Sequence, residues 1–577
     1  MITVWFGFCC FLRACMRRFF ARETILCALG LLLGSILVMA RLPPLWQATD
    51  GLFQIASPPG DVTLLHFPPL YPSLSRLPIL LVSAWCNAGH LHSLQLGVKR
   101  WVALNDAGLF LLVAGQQLAL IFALALLTVS CTRRPILRCL IVVVFLCNPV
   151  LFIGAQLISS EALASILLIL LIAIAVELSR GQELSRNGII ALGVCLYANV
   201  MTRHVNAISA ALVPMAYLLG AITHIKKRGE GRICLKKFVV ACAVGLVAIV
   251  AANLTTRSLC VVFREPYRST VARTAISRLD LIDQLPAADR ANYLRTLQAN
   301  ASDPITKAAI PAILAAKKYW GGSMRVIETL IQSHGEKLKS KELHAMADHY
   351  LDEICLLYYR SLPPIVVADI SEAIVRALTS TTPTEVIQYF YRMAADYSPK
   401  VFRSDSALHQ RTAHLKSCSP SAVAAIKRGE TTFWLRGLDK IPCGITLVLL
   451  LGLATILRLL RRFDSNMLSL LYGLAITDVL LMIGTFAFGL YLPRYVLPSC
   501  VINAAALAIL LGNITCPAHR PKKRRRVYLP AACWSKGAIR SLAEQQDVHE
   551  TERPVSYFGG SRTFLCCSKL KPESFRG

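Results

Sequence analysis

Long stretches without charge constrain this chain more than any other feature of its sequence. Apolar segments of membrane-spanning length recur over residues 24–250 and 445–511, and one polar block separates the two sets. A hydrocarbon core about 30 Å thick is crossed by a helix of roughly 20 apolar residues. With 55% hydrophobic residues over 577 positions, the sequence predicts an all-α polytopic membrane protein.

The hydropathy pattern predicts about ten transmembrane helices. The predicted spans cover residues 24–39, 107–130, 136–153, 161–178, 188–201, 205–223, 238–253, 444–460, 467–490 and 495–512. A further apolar stretch, residues 77–96, is interrupted by polar side chains, so we place it at the membrane interface.

The positions of lysine and arginine predict the orientation of these spans. With the N-terminus inside, every strongly basic short loop falls on one side, as the positive-inside rule requires. No small-residue cleavage site follows the first span, so we expect an uncleaved anchor. The predicted parts are a cytoplasmic N-terminus (1–23), an N-terminal transmembrane region (24–256) with a long first outer loop (41–106), an extracytoplasmic, mostly helical soluble domain between spans seven and eight (257–440), a C-terminal transmembrane region (441–513) and a basic cytoplasmic tail (514–577).

The charge and cysteine content exclude two other function classes. The net charge of +29 would suggest nucleic acid in a soluble protein, but here the basic residues lie between spans, and the run at 521–526 favours lipid headgroups. We therefore expect membrane lipids, and no nucleic acid, as partners. The 20 cysteines show no zinc-ligand spacing, and most, Cys500 included, behave as small hydrophobes. We predict no metal site and no cofactor. A requirement for a divalent cation, and one disulfide in the polar block, are left open.

The first outer loop carries the first group of candidate residues. Asp50 and Asp61 follow the first span, and His66 precedes Tyr71 by five positions. A partly desolvated carboxylate at a membrane surface has a raised pKa and is suited to accept a proton from a hydroxyl. The alternative is that both aspartates, each beside a glycine, are ordinary turn residues.

Four segments together resemble a known family. An acidic residue soon after the first span, followed by Pro-Pro-Leu-Tyr-Pro at 68–72, resembles the GT-C superfamily, the polyprenyl-phosphate-sugar-dependent, arabinosyl- and mannosyltransferase-like membrane glycosyltransferases. Glu161 in Ser-Ser-Glu-Ala-Leu, Arg203 beside His204 between two spans, and Arg494 in Leu-Pro-Arg-Tyr fit the same pattern. Family members commonly carry two adjacent acidic residues in the first loop, whereas this chain has two isolated ones.

The resemblance implies an enzyme of the inner (plasma) membrane that moves a sugar from a polyprenyl-phosphate carrier to a lipid or glycan acceptor outside the cytoplasm. Asp50, with Asp61 as substitute, would be the catalytic base of a single inverting displacement. The implied substrate-binding residues are His66, Tyr71, Glu161, Arg203, His204 and Arg494. The charge-derived topology places all of these residues at the outer face.

Simpler roles and other functions remain open at this point. Glu161 could cap a helix, and Arg494 could reach to the interface without binding anything. A transporter or flippase for a lipid-linked or anionic substrate would place ionisable groups at mid-membrane, and Gln116, Gln117 and Asp478 are embedded polar positions. A non-catalytic assembly protein would use the polar block to bind a partner.

Overall fold

The fold is known from a computed structural model of the chain, which describes most of the apolar regions and much of the polar block. The described residues are 22–46, 51, 54–56, 68–86, 104–181, 185–223, 228–263, 281–316, 321–333, 340–403, 415–416, 419–432, 440–488 and 492–514. They belong to one compact unit and fold almost entirely as α-helices, as the sequence predicts.

The helices follow the order of the apolar and polar regions along the chain. In the described part they are α1 (Arg22–Arg41), α2 (Leu70–Cys86), α3 (Asp106–Cys131), α4 (Pro135–Leu146), α5 (Pro149–Ala155), α6 (Ser160–Arg180), α7 (Arg186–Val200), α8 (Leu212–Thr223), α9 (Arg228–Phe263), α10 (Ala287–Asn300), α11 (Pro304–Ala316), α12 (Gly321–Ser333), α13 (Ser340–Arg360), α14 (Pro364–Thr379), α15 (Pro383–Arg403), α16 (Pro420–Thr432), α17 (Cys443–Leu459), α18 (Ser465–Phe488) and α19 (Leu497–Asn513). Two 3₁₀ helices, His204–Ala211 and Pro493–Val496, lead into α8 and α19.

Seven helical segments in the described residues are long and apolar enough to cross a membrane. They are Arg22–Arg41, Asp106–Cys131, Ser160–Arg180, His204–Thr223, Gly231–Val262, Ser465–Ala487 and Pro493–Asn513. The bent pair α4 and α5 makes an eighth span if it is counted as one. The chain is therefore a membrane protein, but ten spans are not confirmed, because α7 has 15 residues and α17 has 17.

The bend between α4 and α5 exposes backbone groups that lipid cannot satisfy. The helices meet at 65°, where Pro149 starts α5, and the chain after α5 runs extended. Two short strands pair in parallel there, β1 (Leu45–Trp46) with β2 (Leu157–Ile158). Gln116 Nε2 donates to the carbonyl oxygens of Ala155 and Leu157 at 2.9 Å each. This embedded glutamine therefore has a structural role, because its amide replaces hydrogen bonds that the broken helix lost.

A buried arginine joins two parts of the first loop. Arg76 of α2 donates through Nε to the carbonyl oxygen of Ile55 and through Nη2 to that of Gln54, both at 3.2 Å. Burial lowers the pKa of Arg76 to about 10, so the group stays protonated at neutral pH. The opposite side of α2 exposes an apolar stripe, as a helix at the lipid interface requires. That stripe contains Leu74, Leu77, Leu81 and Trp85.

The polar block divides into two parts that pack differently. Helices α10 to α13 enclose a core of their own, which includes Ile313, Ile331 and Ile354. Helices α14 and α15 instead contribute Ala377 and Phe390 to the main core of the apolar bundle. A separate soluble domain over the whole of 257–440 is thus not confirmed, since its second part shares the core of the bundle.

The joint between α14 and α17 is especially close. The backbone N–H of Cys443 donates to the carbonyl oxygen of Thr381 at 3.0 Å. At Gly444, a Cβ atom would lie 2.4 Å from the carbonyl oxygen of Leu378, which is nearer than atoms in proteins approach. Glycine is therefore required at this position, because its missing side chain lets the end of α14 touch the start of α17.

We expect Gly444→Ala to destabilise the protein by roughly 1–3 kcal/mol, the usual cost of overpacking a tight contact. Gly452→Ala in the same helix is the matched control, because a Cβ atom there would meet nothing within 4 Å. Thermal unfolding of the detergent-solubilised protein measures both. Equal melting temperatures for the two variants would show that the joint is not a close contact.

Candidate functional site

Three interruptions of the helices meet at one end of the bundle. They are the start of α6 after β2, the turn at 199–203 after α7, and the 3₁₀ helix Pro493–Val496 before α19. The N-terminal residue of α2 joins them, because the N–H of Leu70 donates to the carbonyl oxygen of Met201 at 3.0 Å. Polar side chains from distant parts of the sequence are thereby brought into one cleft.

An ion pair lies in this cleft. Glu161 Oε1 lies 3.2 Å from Arg203 Nη1, and the two side chains are 6% and 22% exposed. At the start of this helix, Gln54 Oε1 accepts from the Ser160 N–H at 2.9 Å, and the Ser159 side chain makes no capping bond. Glu161 therefore orients the guanidinium of Arg203.

Tyr495 holds two guanidinium groups close together. The Cζ atom of Arg203 lies 5.8 Å from the centre of the Tyr495 ring, and that of Arg494 lies 5.0 Å from it. Arg494 also donates through Nη2 to the Tyr495 hydroxyl at 3.2 Å. A cation within about 6 Å of an aromatic face is attracted to it. The ring therefore offsets part of the repulsion between the two arginines.

Amide and hydroxyl groups fix the turn that carries Arg203. Asn199 Nδ2 donates to Ser209 Oγ at 3.0 Å, and Asn206 Nδ2 donates to Asn199 Oδ1 at 2.8 Å. This network borders a small, partly open cleft. The cleft is lined by Glu161, Ala164, Ser165, Leu168, Asn199, Arg203, Asn206, Ser209, Leu481, Leu497 and Pro498. Its wall is thus polar on one side and apolar on the other.

Tyr71 lies beside Glu161 in the buried base of the first loop. Its hydroxyl donates to Gln116 Oε1 at 3.2 Å, and the residue is 2% exposed. Burial, and then the nearby negative charge of Glu161, raise the pKa of the Tyr71 phenol well above its ordinary value. Tyr71 therefore stays a neutral hydrogen-bond donor and is not a source of negative charge.

The remaining predicted site residues are not placed in the cleft. His204 starts the 3₁₀ helix after Arg203, but its side chain is exposed and is not part of the described cleft lining. Asp50, Asp61 and His66 lie outside the described residues. Of the eight predicted residues, Glu161 and Arg203 line the cleft, Arg494 lies against the tyrosine ring that Arg203 also meets, and Tyr71 lies near Glu161.

The backbone next to Asp50 is described, and it contacts strand β2 just before α6. At Gly51, a Cβ atom would lie 2.3 Å from the carbonyl oxygen of Ile158. Gln54 Nε2 donates to Ser160 Oγ at 3.4 Å, in addition to the bond from the Ser160 N–H. This part of the first loop is therefore attached within a few residues of Glu161.

Sequence reasoning did not single out Tyr495, Asn199 or Ser209. Tyr495 stood within the quoted Leu-Pro-Arg-Tyr segment, but nothing in the sequence shows that its ring meets two arginines. Asn199 could have been found as an amide inside an apolar helix, since such residues usually have a partner. Ser209 carries no comparable signal.

Comparison with known proteins adds no family to these observations. A scan against protein-family models finds no match, and a search of curated proteins finds none. No cluster of three or more histidine, cysteine or acidic residues suited to a metal ion occurs among the residues that the structure describes.

We expect Glu161 and Arg203 to be energetically coupled. In a double-mutant cycle, the loss of stability in the double variant Glu161→Gln/Arg203→Gln should be about 1 kcal/mol smaller than the sum of the two single losses. The reason is that each single change leaves a partly buried charge without its partner. Thermal unfolding measures the four proteins of the cycle.

The matched control for this cycle pairs Glu161→Gln with Arg458→Gln. Arg458 lies at the far end of α17, where its Nη1 donates to the carbonyl oxygen of Phe463 at 3.1 Å, so the two changes should be additive. Additive behaviour of Glu161 with Arg203 as well would contradict a stabilising pair.

Proposed function

We propose that the protein is a GT-C-like glycosyltransferase that transfers a sugar from a polyprenyl-phosphate carrier to an acceptor on the extracytoplasmic side of the plasma membrane. The observation that carries the proposal is the approach of two guanidinium groups to one tyrosine ring at the rim of a cleft, at the end of an apolar bundle. A carrier of this kind has a long apolar chain with a phosphate at one end. The arginines suit the phosphate, and the apolar bundle suits the chain.

The charges in the cleft favour an anionic headgroup. Arg203 lines the cleft and Arg494 lies against the same tyrosine ring, so two positive charges accompany the one negative charge of Glu161. A guanidinium has five N–H donors, so Arg203 can bind the Glu161 carboxylate through one edge and a phosphate oxygen through another. When the glycosidic bond breaks, negative charge develops on the leaving phosphate, and both arginines stabilise it.

The apolar side of the cleft suits the carrier chain. Leu168, Leu481 and Leu497 line it on three different helices, α6, α18 and α19. A lipid tail has no polar groups, so it gains from contact with such a wall and leaves the phosphate at the polar side. The donor would therefore bind with its headgroup at the helix interruptions and its tail between the helices.

Asp50 is the base that we propose for the acceptor hydroxyl, with Asp61 as the substitute. The support comes from its neighbour: Gly51 is packed against Ile158, three positions before Glu161. In the inverting displacement, the carboxylate takes the hydroxyl proton while the oxygen attacks the sugar carbon and the phosphate leaves.

One observation favours a transporter as the second candidate. Asp478 of α18 is fully buried, its Oδ1 accepts from Ser499 Oγ at 2.6 Å, and its Oδ2 has no hydrogen-bond partner among the described residues. Buried carboxylates inside a bundle often mark ion or proton pathways. Reconstituted vesicles separate the two functions, because a transporter moves the lipid-linked sugar across the bilayer without consuming it, whereas a transferase releases the carrier phosphate.

We expect Asp50→Asn to lower sugar transfer in vesicles by about 10²–10⁴-fold, which is the usual contribution of a general base. Asp464→Asn is the matched control: this aspartate caps α18 at the other end of the bundle, where its Oδ2 accepts from the Met467 N–H at 3.2 Å, and asparagine caps equally well. Activity near that of the wild type in both Asp50→Asn and Asp61→Asn would remove the proposed mechanism.

We expect Arg494→Lys to raise the apparent KM for the polyprenyl-phosphate donor by about tenfold, because lysine lacks the planar fork that binds two phosphate oxygens and stacks on Tyr495. Arg458→Lys is the control, since it changes an arginine at the far end of the bundle. The assay varies the donor concentration in vesicles. An unchanged KM and rate in Arg494→Lys would assign this arginine to anchoring at the interface.

A further inference from the structure

A pair of buried thiols joins the start of α17 to the first turn of α19. The Sγ atoms of Cys443 and Cys500 lie 3.5 Å apart, and the two residues are 1% and 2% exposed. In the sequence, Cys500 reads as a small hydrophobe in a span. The structure changes this interpretation, because its sulfur contacts a second sulfur that is 57 positions away in the chain.

Neighbouring groups fix the backbone of this pair. Asn503 Nδ2, one turn after Cys500, donates to the carbonyl oxygen of Cys443 at 2.8 Å. The Cys443 N–H donates in turn to the carbonyl oxygen of Thr381 at 3.0 Å. With the backbone held on both sides, rotation of the side chains is the main movement needed to bring the sulfur atoms from contact to bonding distance.

We propose that a disulfide joins Cys443 and Cys500 in the mature protein. The bond forms by thiol–disulfide exchange with a disulfide-bearing oxidant, such as a dithiol oxidoreductase or a small-molecule disulfide. One thiolate attacks the oxidant and releases its first thiol, and the second cysteine then attacks the mixed disulfide and releases the other. Two electrons and two protons pass to the oxidant. Because both sulfurs are buried in the folded protein, exchange takes place before α17 and α19 are fully packed.

The bond would brace the arginine site. Cys500 lies six residues after Arg494, and the 3₁₀ helix Pro493–Val496 runs directly into α19. A covalent link from α19 to the start of α17 therefore limits the movement of the segment that carries Arg494 and Tyr495.

The bond would also report the orientation of the chain. Structural disulfides are formed in oxidising compartments and are rare in the cytosol. An oxidised pair would thus place the cleft end outside the cytoplasm by a criterion independent of the lysine and arginine count. The proposal does not depend on sugar transfer, so either can fail without the other.

Differential alkylation of the full chain tests the bond. Membranes are dissolved in SDS with N-ethylmaleimide, reduced, labelled with deuterated N-ethylmaleimide and digested with trypsin. Cys443 falls in the fragment 441–458, and Cys500 shares its fragment with Cys516, so fragment spectra assign each label. We expect Cys443 and Cys500 to carry the deuterated label in equal fractions. Light label on both cysteines of the wild-type protein would overturn the proposal, and this readout needs no variant to fold.

Two variants identify the partner. In Cys500→Ser, Cys443 should change to the light label, whereas Cys195→Ala, a change at a buried cysteine of α7, should leave it deuterated. Deuterated label on Cys443 in Cys500→Ser would mean a different partner and would also overturn the proposal. A reductant should lower the melting temperature of the wild-type protein by several degrees and leave that of Cys443→Ala unchanged.

Discussion

Every backbone N–H and carbonyl group inside a bilayer needs a partner from the protein, and the cleft depends on how this chain meets that requirement. The helices are interrupted where the site lies, and amide side chains supply the missing hydrogen bonds. Gln116 bonds two carbonyl groups after α5, Gln156 Nε2 donates to the Leu42 carbonyl oxygen at 2.9 Å, and Asn206 Nδ2 is 3.3 Å from the Asn199 carbonyl oxygen. Because these amides supply the missing hydrogen bonds, irregular backbone is tolerated inside the bundle, and the cleft forms where the backbone is irregular.

The same interruptions explain why charged groups can remain there. A charge at a membrane boundary is costly unless it is paired or hydrogen-bonded. Glu161 and Arg203 neutralise each other at 3.2 Å, and the Tyr495 ring accommodates Arg203 together with Arg494. Because water is partly excluded, these attractions are stronger than at an ordinary surface. The charged groups are therefore held in place by contacts within the protein itself.

The sequence predicts the helices well because apolar runs and their lengths are local properties. It does not predict the bend between α4 and α5 or the packing of α14 and α15 on the main core, since both depend on contacts far apart in the chain. For the site, Glu161 and Arg203 could be identified because charges are rare in such segments. Their pairing, and the position of Tyr495 between two arginines, could not, because these are tertiary contacts.

The contact of Gly444 with Leu378 connects the polar block rigidly to the apolar bundle. Helix α14 of the polar block touches the start of α17 with its last turn, and the residue before Gly444, Cys443, accepts a hydrogen bond from Asn503 of α19. At Gly444 there is no room for even a Cβ atom, so a tilt of α14 would press directly on the start of α17. A load applied to the polar block, such as a partner pulling on it, would be transmitted through α17 to the helix whose leading turn carries Arg494.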